Sequence, residues 1–234
     1  MEKPAFMLTF RPASEEDIPE IVSFTMDTWD WGDYIPQVIG RWVREGRAYV
    51  ALWSGRVAAV AALLTVGKSA YLHGLRVRPE LRGRGIGEAI TRFLLDEARR
   101  RGAAVATALV AEWNAPSHRL VRKIGFRERF YIYGGRPAGG NGRCLSGVEA
   151  YEAVSEALGR SRGYACLPDD PWVCTALTPW DLLSRGRPCL GEALYIGRFS
   201  FGKAQGDPSA DATSLSPEGY RERYAAHLLY SIDL

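Results

Sequence analysis

Cysteine is scarce and unevenly placed. The four residues, Cys144, Cys166, Cys174 and Cys189, all lie beyond residue 143, and none forms a C-x-x-C pair. A structural zinc site draws on such pairs, so no metal is expected. Buried, reduced thiols are the expected state, and disulfides would call for a setting such as that of hyperthermophiles. Charge of one sign is also missing in excess: 30 Lys and Arg against 27 Asp and Glu leave a net +3. That is too little for a general nucleic-acid binder, though it leaves room for an anionic ligand. No apolar run approaches the length of a membrane span. The opening "MEKPAFMLTFRPASEED" lacks the charged-then-apolar order of a secretory signal. The expectation is a cytoplasmic protein with no nucleic-acid and no membrane partner. Histidine is limited to three residues, at 73, 118 and 227, so each carries weight.

What is present is an ordinary globular composition, 47% hydrophobic and 24% charged, over 234 residues, enough for one large domain or two modest ones. "MLTFRPAS" reads as a first strand and leads into a helix, with Ser14 as N-cap and Asp17 three positions on. An acidic, aromatic segment follows, holding Trp29, Asp30, Trp31, Asp33 and Tyr34. "RAYVALWSG", "RVAAVAALLTV" and "SAYLHGLRV" read as strands joined by tight turns, hence antiparallel hairpins. A helix is predicted from about 86 to 101, with Ala89, Ile90, Phe93, Leu94 and Ala98 on one face. Next come a buried strand ("AAVATALVAEW"), a short helix ending at Gly125, and a strand ("FRERFYIYG"). "GGRPAGGNGRC" reads as a linker or long loop. Beyond it lie a helix ("GVEAYEAVSEALG"), short strand-like pieces, a polar loop ("GKAQGDPSADATS") and a helix from about 217.

The chemistry concentrates in "LRVRPELRGRGIGEAI", residues 75–90. Glycines where a strand hands over to a helix leave backbone N–H groups open to an anion and let a bulky diphosphate approach. Arg82 and Arg84 add positive charge at the same place. A Walker A loop is excluded because Glu88, not Lys, follows Gly87. A Rossmann turn would sit in a parallel βαβ unit, not after antiparallel hairpins.

Here the sequence resembles the GCN5-related N-acetyltransferase (GNAT) superfamily. Its acetyl-CoA motif L-x-V-x-P-x-x-R-G-x-G-x-G/A is met by Leu75, Val77, Pro79, Arg82, Gly83, Gly85 and Gly87. A second motif, "NAPSHRLVRKIGF", is matched by Asn114, Leu120, Lys123, Gly125 and Phe126, with Ser117 in place of a common Ala. The resemblance covers roughly residues 7–135. It implies an α/β fold: a mixed central sheet with antiparallel N-terminal hairpins and flanking helices. It also implies acetyl-CoA as acyl donor, with amides from Gly83, Arg84, Gly85, Ile86, Gly87 and Glu88 on the pyrophosphate. Leu75, Arg76 and Val77 would pair with the pantetheine, which Asn114 would also bond. Arg119, Arg122 or Lys123 would face the 3′-phosphate, unless that helix face is merely solvated.

Many relatives carry a Tyr general acid directly after the position of Leu120, and this chain has Val121. Ser117, Tyr131 and Tyr133 are the alternative donors. Arylalkylamine acetyltransferases have histidines at the positions of Tyr71 and His73, which strand alternation puts on one face. His73, with Tyr71 and Ser117, is thus the catalytic candidate set, against a hydrogen-bonded core histidine. Trp29, Asp30, Trp31, Asp33 and Tyr34 are the acceptor-binding candidates, through attraction of an ammonium and cation–π contact. The alternative is a surface loop with its aromatics packed on the sheet.

The expected organisation is a catalytic domain over 1–135, a Gly-rich linker or loop over 136–144, and a smaller α+β region over 145–234. That region would be a degenerate GNAT-like copy enclosing a small acceptor, as in two-domain enzymes of the histidine N-acetyltransferase type, or a dimerising module; a homodimer stays open. The activity implied is acetyl transfer by direct attack of a primary amine of a small molecule such as an amino acid. The alternatives are a protein N-terminal or lysine acetyltransferase, and a non-catalytic CoA-binding sensor.

Overall fold

The computed structural model describes residues 8–234, and the expected start of the first strand at Met7 lies outside them. Its described residues fall into two compact units. The first comprises the residues up to Leu64 together with Leu72–Gly102; the second comprises Thr65–Tyr71 and Ala103–Leu234.

In the first unit, β1 (Leu8–Pro12) leads through Ser14 into a short 3-10 turn and α1 (Ile18–Thr25). The predicted cap forms, with the Ser14 amide donating to Asp17 Oδ2 at 2.7 Å. Arg11 clamps the same carboxylate at 2.6 and 2.7 Å. A second helix, α2 (Ile35–Arg44), follows the acidic, aromatic segment, where the sequence reading places no helix. Strands β2 (Ala48–Trp53), β3 (Arg56–Val66) and β4 (Ser69–Val77) follow, in the order β1-β2-β3-β4. β2 and β3 are antiparallel and joined by Ser54 and Gly55, both at positive φ (49° and 84°), as a two-residue hairpin turn of right-handed twist requires. Ile21, Phe24, Ile35, Ile39 and Trp42 of the two helices pack on Val50, Val57 and Val60. α3 (Ile86–Arg100) closes the unit, burying Ile86, Ile90, Leu94, Leu95 and Ala98 along one stripe.

Ser69–Tyr71, the first residues of β4, belong to the second unit and pair in parallel with β5 (Val105–Ala111). Then come α4 (Ala115–Ile124), ended by Gly125 at φ 110°, and β6 (Arg127–Pro137). The remaining elements are β7 (Arg143–Cys144), α5 (Gly147–Arg160), β8 (Tyr164–Cys166), β9 (Cys174–Ala176) and α6 (Pro179–Leu183), then β10 (Pro188–Leu190), β11 (Leu194–Ile196), β12 (Phe199–Ser200), β13 (Ala212–Ser214) and β14 (Tyr220–Asp233). The order here is β4-β5-β14-β6-β13-β12-β11-β10-β7, with β8 and β9 in a sheet of their own. The β4–β5 and β12–β13 pairs are parallel amid antiparallel neighbours, so the sheet is mixed, as expected.

Three expectations are corrected. The helix expected from about 217 is strand β14, which pairs antiparallel with both β5 and β6. Its Arg, Ala and Leu content favours a helix locally, but two open strand edges decide the outcome. The Gly-rich stretch is partly strand: β6 runs on through Pro137. A side chain at Gly134 would stand 2.1 Å from Trp172, and one at Gly135 would stand 2.1 Å from the Glu222 carbonyl. These glycines serve close packing, not a turn. The cysteines are not reduced: Cys144–Cys189 joins facing residues of β7 and β10, and Cys166–Cys174 joins facing residues of β8 and β9.

The expected linker at 136–144 lies wholly inside the second unit, and the boundaries between the compact units fall at 64/65, 71/72 and 102/103. Residues 138–219, which include β13 on one side of β6, are accordingly inserted between β6 and β14, its partner on the other side. No described helix is long and apolar enough to cross a membrane, and no described group of His, Cys, Asp or Glu could hold a metal ion.

Candidate active site

The first unit holds the glycine-rich turn. β4 ends at Val77, a 3-10 turn spans Pro79–Leu81, and α3 starts at Ile86. Gly83 and Gly85 lie at φ 75° and 80°, a left-handed region closed to most side chains. A Cβ at either would meet nothing within 4 Å, so the space over the turn is open. Ile86 is buried at 1% exposure and anchors the helix start, and Ala89 N–H is the donor that closes the first turn, to the Gly85 carbonyl at 3.0 Å. The amides of Ile86 and Gly87 precede it, in the first turn where N–H groups point out of the helix end. Such amides, with the positive end of the helix dipole, suit a phosphate oxygen. The donor set therefore fits an anion. Arg82 Nε reaches the Val77 carbonyl at 3.2 Å, Arg84 is exposed, and the Glu88 carboxylate is held aside by Arg92 at 3.0 Å.

Upstream of the turn, β4 departs from regular alternation at Gly74, where φ is 65°. A side chain there would lie 2.6 Å from Trp42 of α2, so strand and helix approach closely only because the residue is glycine. His73 is drawn into the same contact, its ring centroid 4.5 Å from Trp42 in an edge arrangement. Burial drives its pKa down, and the nearby charges of Arg47 and Arg41 push the same way, to about 3. The imidazole is neutral at physiological pH. Tyr71 is 5% exposed and belongs to the second unit, where it pairs with Thr107.

The acceptor candidates separate into two kinds. Asp30 and Trp31 are exposed, Trp31 at 73%, with its ring stacked on Trp29 at 5.9 Å. Asp33 is the opposite: its side chain is fully buried, and Arg76 of β4 grips it through Nε at 2.6 Å and Nη2 at 3.0 Å. Burial alone would raise the Asp33 pKa. Arg76, the Thr28 hydroxyl and the Ile35 amide outweigh it and hold the carboxyl below its ordinary value. The Arg76 guanidinium lies 5.8 Å from the Trp29 ring centroid and 5.5 Å from that of Tyr34. Asp33 is thus committed to an internal cation, which leaves Asp27 and Asp30 as the exposed acids of this loop.

The second unit carries the other motif. Asn114 caps α4, its side-chain oxygen accepting from the Ser117 amide at 3.2 Å. Val121 is buried at 6%, so no polar group stands at that position. Tyr131 is exposed, and the Tyr133 carbonyl is held by the Tyr220 hydroxyl at 2.7 Å. Of the three residues proposed to face a 3′-phosphate, Arg122 is tied to Glu128 at 2.6 Å. His118 is a satisfied core histidine: one ring nitrogen lies 2.8 Å from the Tyr230 hydroxyl and the other 3.1 Å from the Ala111 carbonyl.

Sequence reasoning missed two participants. Gly74 carried a readable signal, since a lone glycine inside a strand marks a close approach. The Arg76 side chain carried none, because its partner is 43 residues away in sequence.

The acetyltransferase (GNAT) family profile matches residues 16–126. Histidine N-acetyltransferase from Scomber australasicus is 33% identical over 90 residues, 37% of this chain and 27% of the relative. [Ribosomal protein bS18]-alanine N-acetyltransferase from Escherichia coli K12 is 33% identical over 75 residues, 32% of this chain and 51% of the relative. The matches therefore span about a quarter to a half of these relatives' lengths. Among solved structures, a candidate acetyltransferase from Thermoplasma acidophilum superposes with a TM-score of 0.54 at 21% identity, over 97% of this chain and 100% of the other. A GCN5-related N-acetyltransferase from Kribbella flavida gives 0.52 at 15% identity, over 98% and 71%. At such identities the likeness speaks for the fold. The profile match takes in both the glycine turn opening α3 and the Asn114 cap of α4, and over residues 16–126 the chain carries an acetyltransferase (GNAT) family domain.

Proposed function

We propose that this chain is an acetyl-CoA-dependent N-acetyltransferase whose acceptor is the primary amine of a small molecule such as an amino acid. The observation that carries the reading is the open turn at Gly83 and Gly85, leading straight into the N-terminus of α3 within the family-matched segment. Its amides, from Gly83 to Glu88, suit the pyrophosphate of coenzyme A. The backbone of Leu75–Val77 and the Asn114 side chain would bind the pantetheine, as the resemblance implies. The matches to histidine N-acetyltransferases favour an amino-acid acceptor.

Acetyl-CoA supplies an activated acyl carbon. The neutral amine attacks it, the carbon–sulfur bond breaks, the thiolate leaves and the nitrogen sheds one proton. Freeing an α-amine of pKa about 8 costs roughly 1.4 kcal/mol at pH 7, against nearly 5 for a lysine of about 10.4. Passing that proton to an imidazole of pKa about 3 would cost about 7 kcal/mol relative to such an α-amine. His73 therefore acts here as a hydrogen-bond acceptor that orients the amine, and water takes the proton. A thiolate of ordinary pKa about 8.5 is only about 2 kcal/mol above its thiol at pH 7. Transfer thus tolerates Val121, with the Ser117 hydroxyl as the available donor. Tyr71 contributes as a buried wall of β4.

A peptide N-terminus is the second reading, favoured by the bS18-alanine acetyltransferase relatives and the exposed Trp31. Thiol release from acetyl-CoA across free amino acids, polyamines and peptides, with the product weighed by mass spectrometry, tests both. Turnover with free amino acids upholds the first reading and turnover with peptides alone the second. Binding of CoA without turnover would overturn both in favour of a sensor.

A further inference from the structure

Resting on the acceptor reading above, we infer that the Asp33–Arg76 pair is a positioning device that ties the acceptor-side loop, residues 26–34, to the strand segment that would hold the acetyl donor. The Asp33 carboxylate gathers three parts of the first unit. It lies beside the Thr28 hydroxyl within the loop, whose hydrogen goes to the Thr25 carbonyl at 3.0 Å, and it accepts from the Ile35 amide at the start of α2 (3.1 Å) and from two nitrogens of Arg76 on β4 (2.6 and 3.0 Å). A carboxylate removed from solvent and bonded on both oxygens to one guanidinium fixes direction as well as distance. Arg76 spends a further donor on the Leu75 carbonyl at 3.0 Å, so its own end of the link is rigid. The planar guanidinium then supports Trp29 and Tyr34, and Trp29 supports the exposed Trp31. Arg76 thus has two separate parts: its main chain lies in the Leu75–Val77 donor segment, and its side chain sets where the loop aromatics stand. The other acids of the loop, Asp27 and Asp30, are exposed, and the charges of Arg41 and Arg47 act on His73 of β4, which is neutral.

The pair acts through the loop, so its loss is expected in acceptor use and not in donor use. Steady-state kinetics of the full chain test this with Asp33→Asn, Arg76→Lys, the double variant and Asp33→Glu. Asp33→Asn keeps the shape but cannot take both guanidinium hydrogens, and Arg76→Lys keeps the charge but not the fork. Each is expected to raise the acceptor KM at least tenfold and to leave the acetyl-CoA KM within twofold. The double variant should be no worse than the weaker single one, and Asp33→Glu should recover part of the loss. Chymotrypsin cleavage at the loop aromatics, read by mass spectrometry well below the lowered thermal midpoint of the variant, should quicken in Asp33→Asn. An unchanged acceptor KM, an equal rise in both KM values, or additive losses would overturn the inference. A variant that fails to fold shifts the decision to Asp33→Glu, whose acceptor and donor KM values must still part. Absence of turnover in the wild type would instead overturn the functional reading, and with it the acceptor role of the loop.

Discussion

His73 offers the sharpest test of how burial shapes this site. Its pKa of about 3 lies well below the ordinary 6.5. Between those values the unfolded chain binds a proton that the native protein refuses, so stability rises with pH across that window. The contribution is complete above pH 6.5 and is lost as pH falls toward 3. At pH 5 the loss should be about 2 kcal/mol, and near pH 3 it approaches 5. The comparison is wild type against His73→Asn, by urea unfolding at pH 7.5 and pH 5.0. The wild type should lose about 2 kcal/mol more than the variant between those two conditions, because asparagine has no proton to take up. NMR of the histidine Cε1 protons gives a direct reading, in which the signal lost in His73→Asn should stay flat from pH 8 to pH 5. A His73 midpoint above 5, or parallel pH slopes in the two proteins, would refute the argument. Turnover follows from the same logic. The acidic limb of kcat/KM should sit at the pKa of the amine acceptor and persist in His73→Asn, with kcat reduced and its pH midpoint unmoved.

Gly85→Val forces a branched side chain to φ 80° over open space; acetyl-CoA affinity by calorimetry should fall at least tenfold while the thermal midpoint changes by a few degrees. Gly134→Ala places a methyl 2.1 Å from Trp172 and should cost about 3 kcal/mol in chemical unfolding, with acetyl-CoA binding retained. A loss under about 1 kcal/mol would mean that the indole moves freely aside. Reducing the disulfides frees loops of 45 and 8 residues, together about 6 kcal/mol by loop-closure entropy. Calorimetric scans with and without a phosphine reductant should part by more than 10 °C, and coincident scans would contradict that estimate.

Legibility in the sequence tracked the range of the deciding interaction. The hairpins, α3 and the cap at Ser14 rest on contacts a few residues apart, and pattern and capping chemistry found them. Glycine misled where its reason was distant. Gly83 and Gly85 need positive φ, which a local motif reveals, whereas Gly134 and Gly135 make room for Trp172 and β14, which no local window contains. "YRERYAAHLLYSIDL" suits a helix by composition and is a strand because β5 and β6 leave a slot for it. Asp33 was read by charge as an attractor for an ammonium, and its true partner became visible only when β4 met the loop. The cysteines followed the same rule, since their pairing depends on which strands face each other.

The placement of β14 has a consequence for how the protein is made. Asp233 pairs with Val105, and Ser231 with both Thr107 and Arg127, across more than a hundred residues of chain. During synthesis β5 and β6 emerge early but cannot complete their ladders until the last of the described strands has been translated. The first unit, built from neighbouring hairpins, can form while the ribosome is still at work. The second must wait with exposed strand edges, which is slow topology and an invitation to wrong pairings. A nascent chain stalled before Tyr220 should therefore protect the α3 region from protease while leaving β5 and β6 open to chaperones.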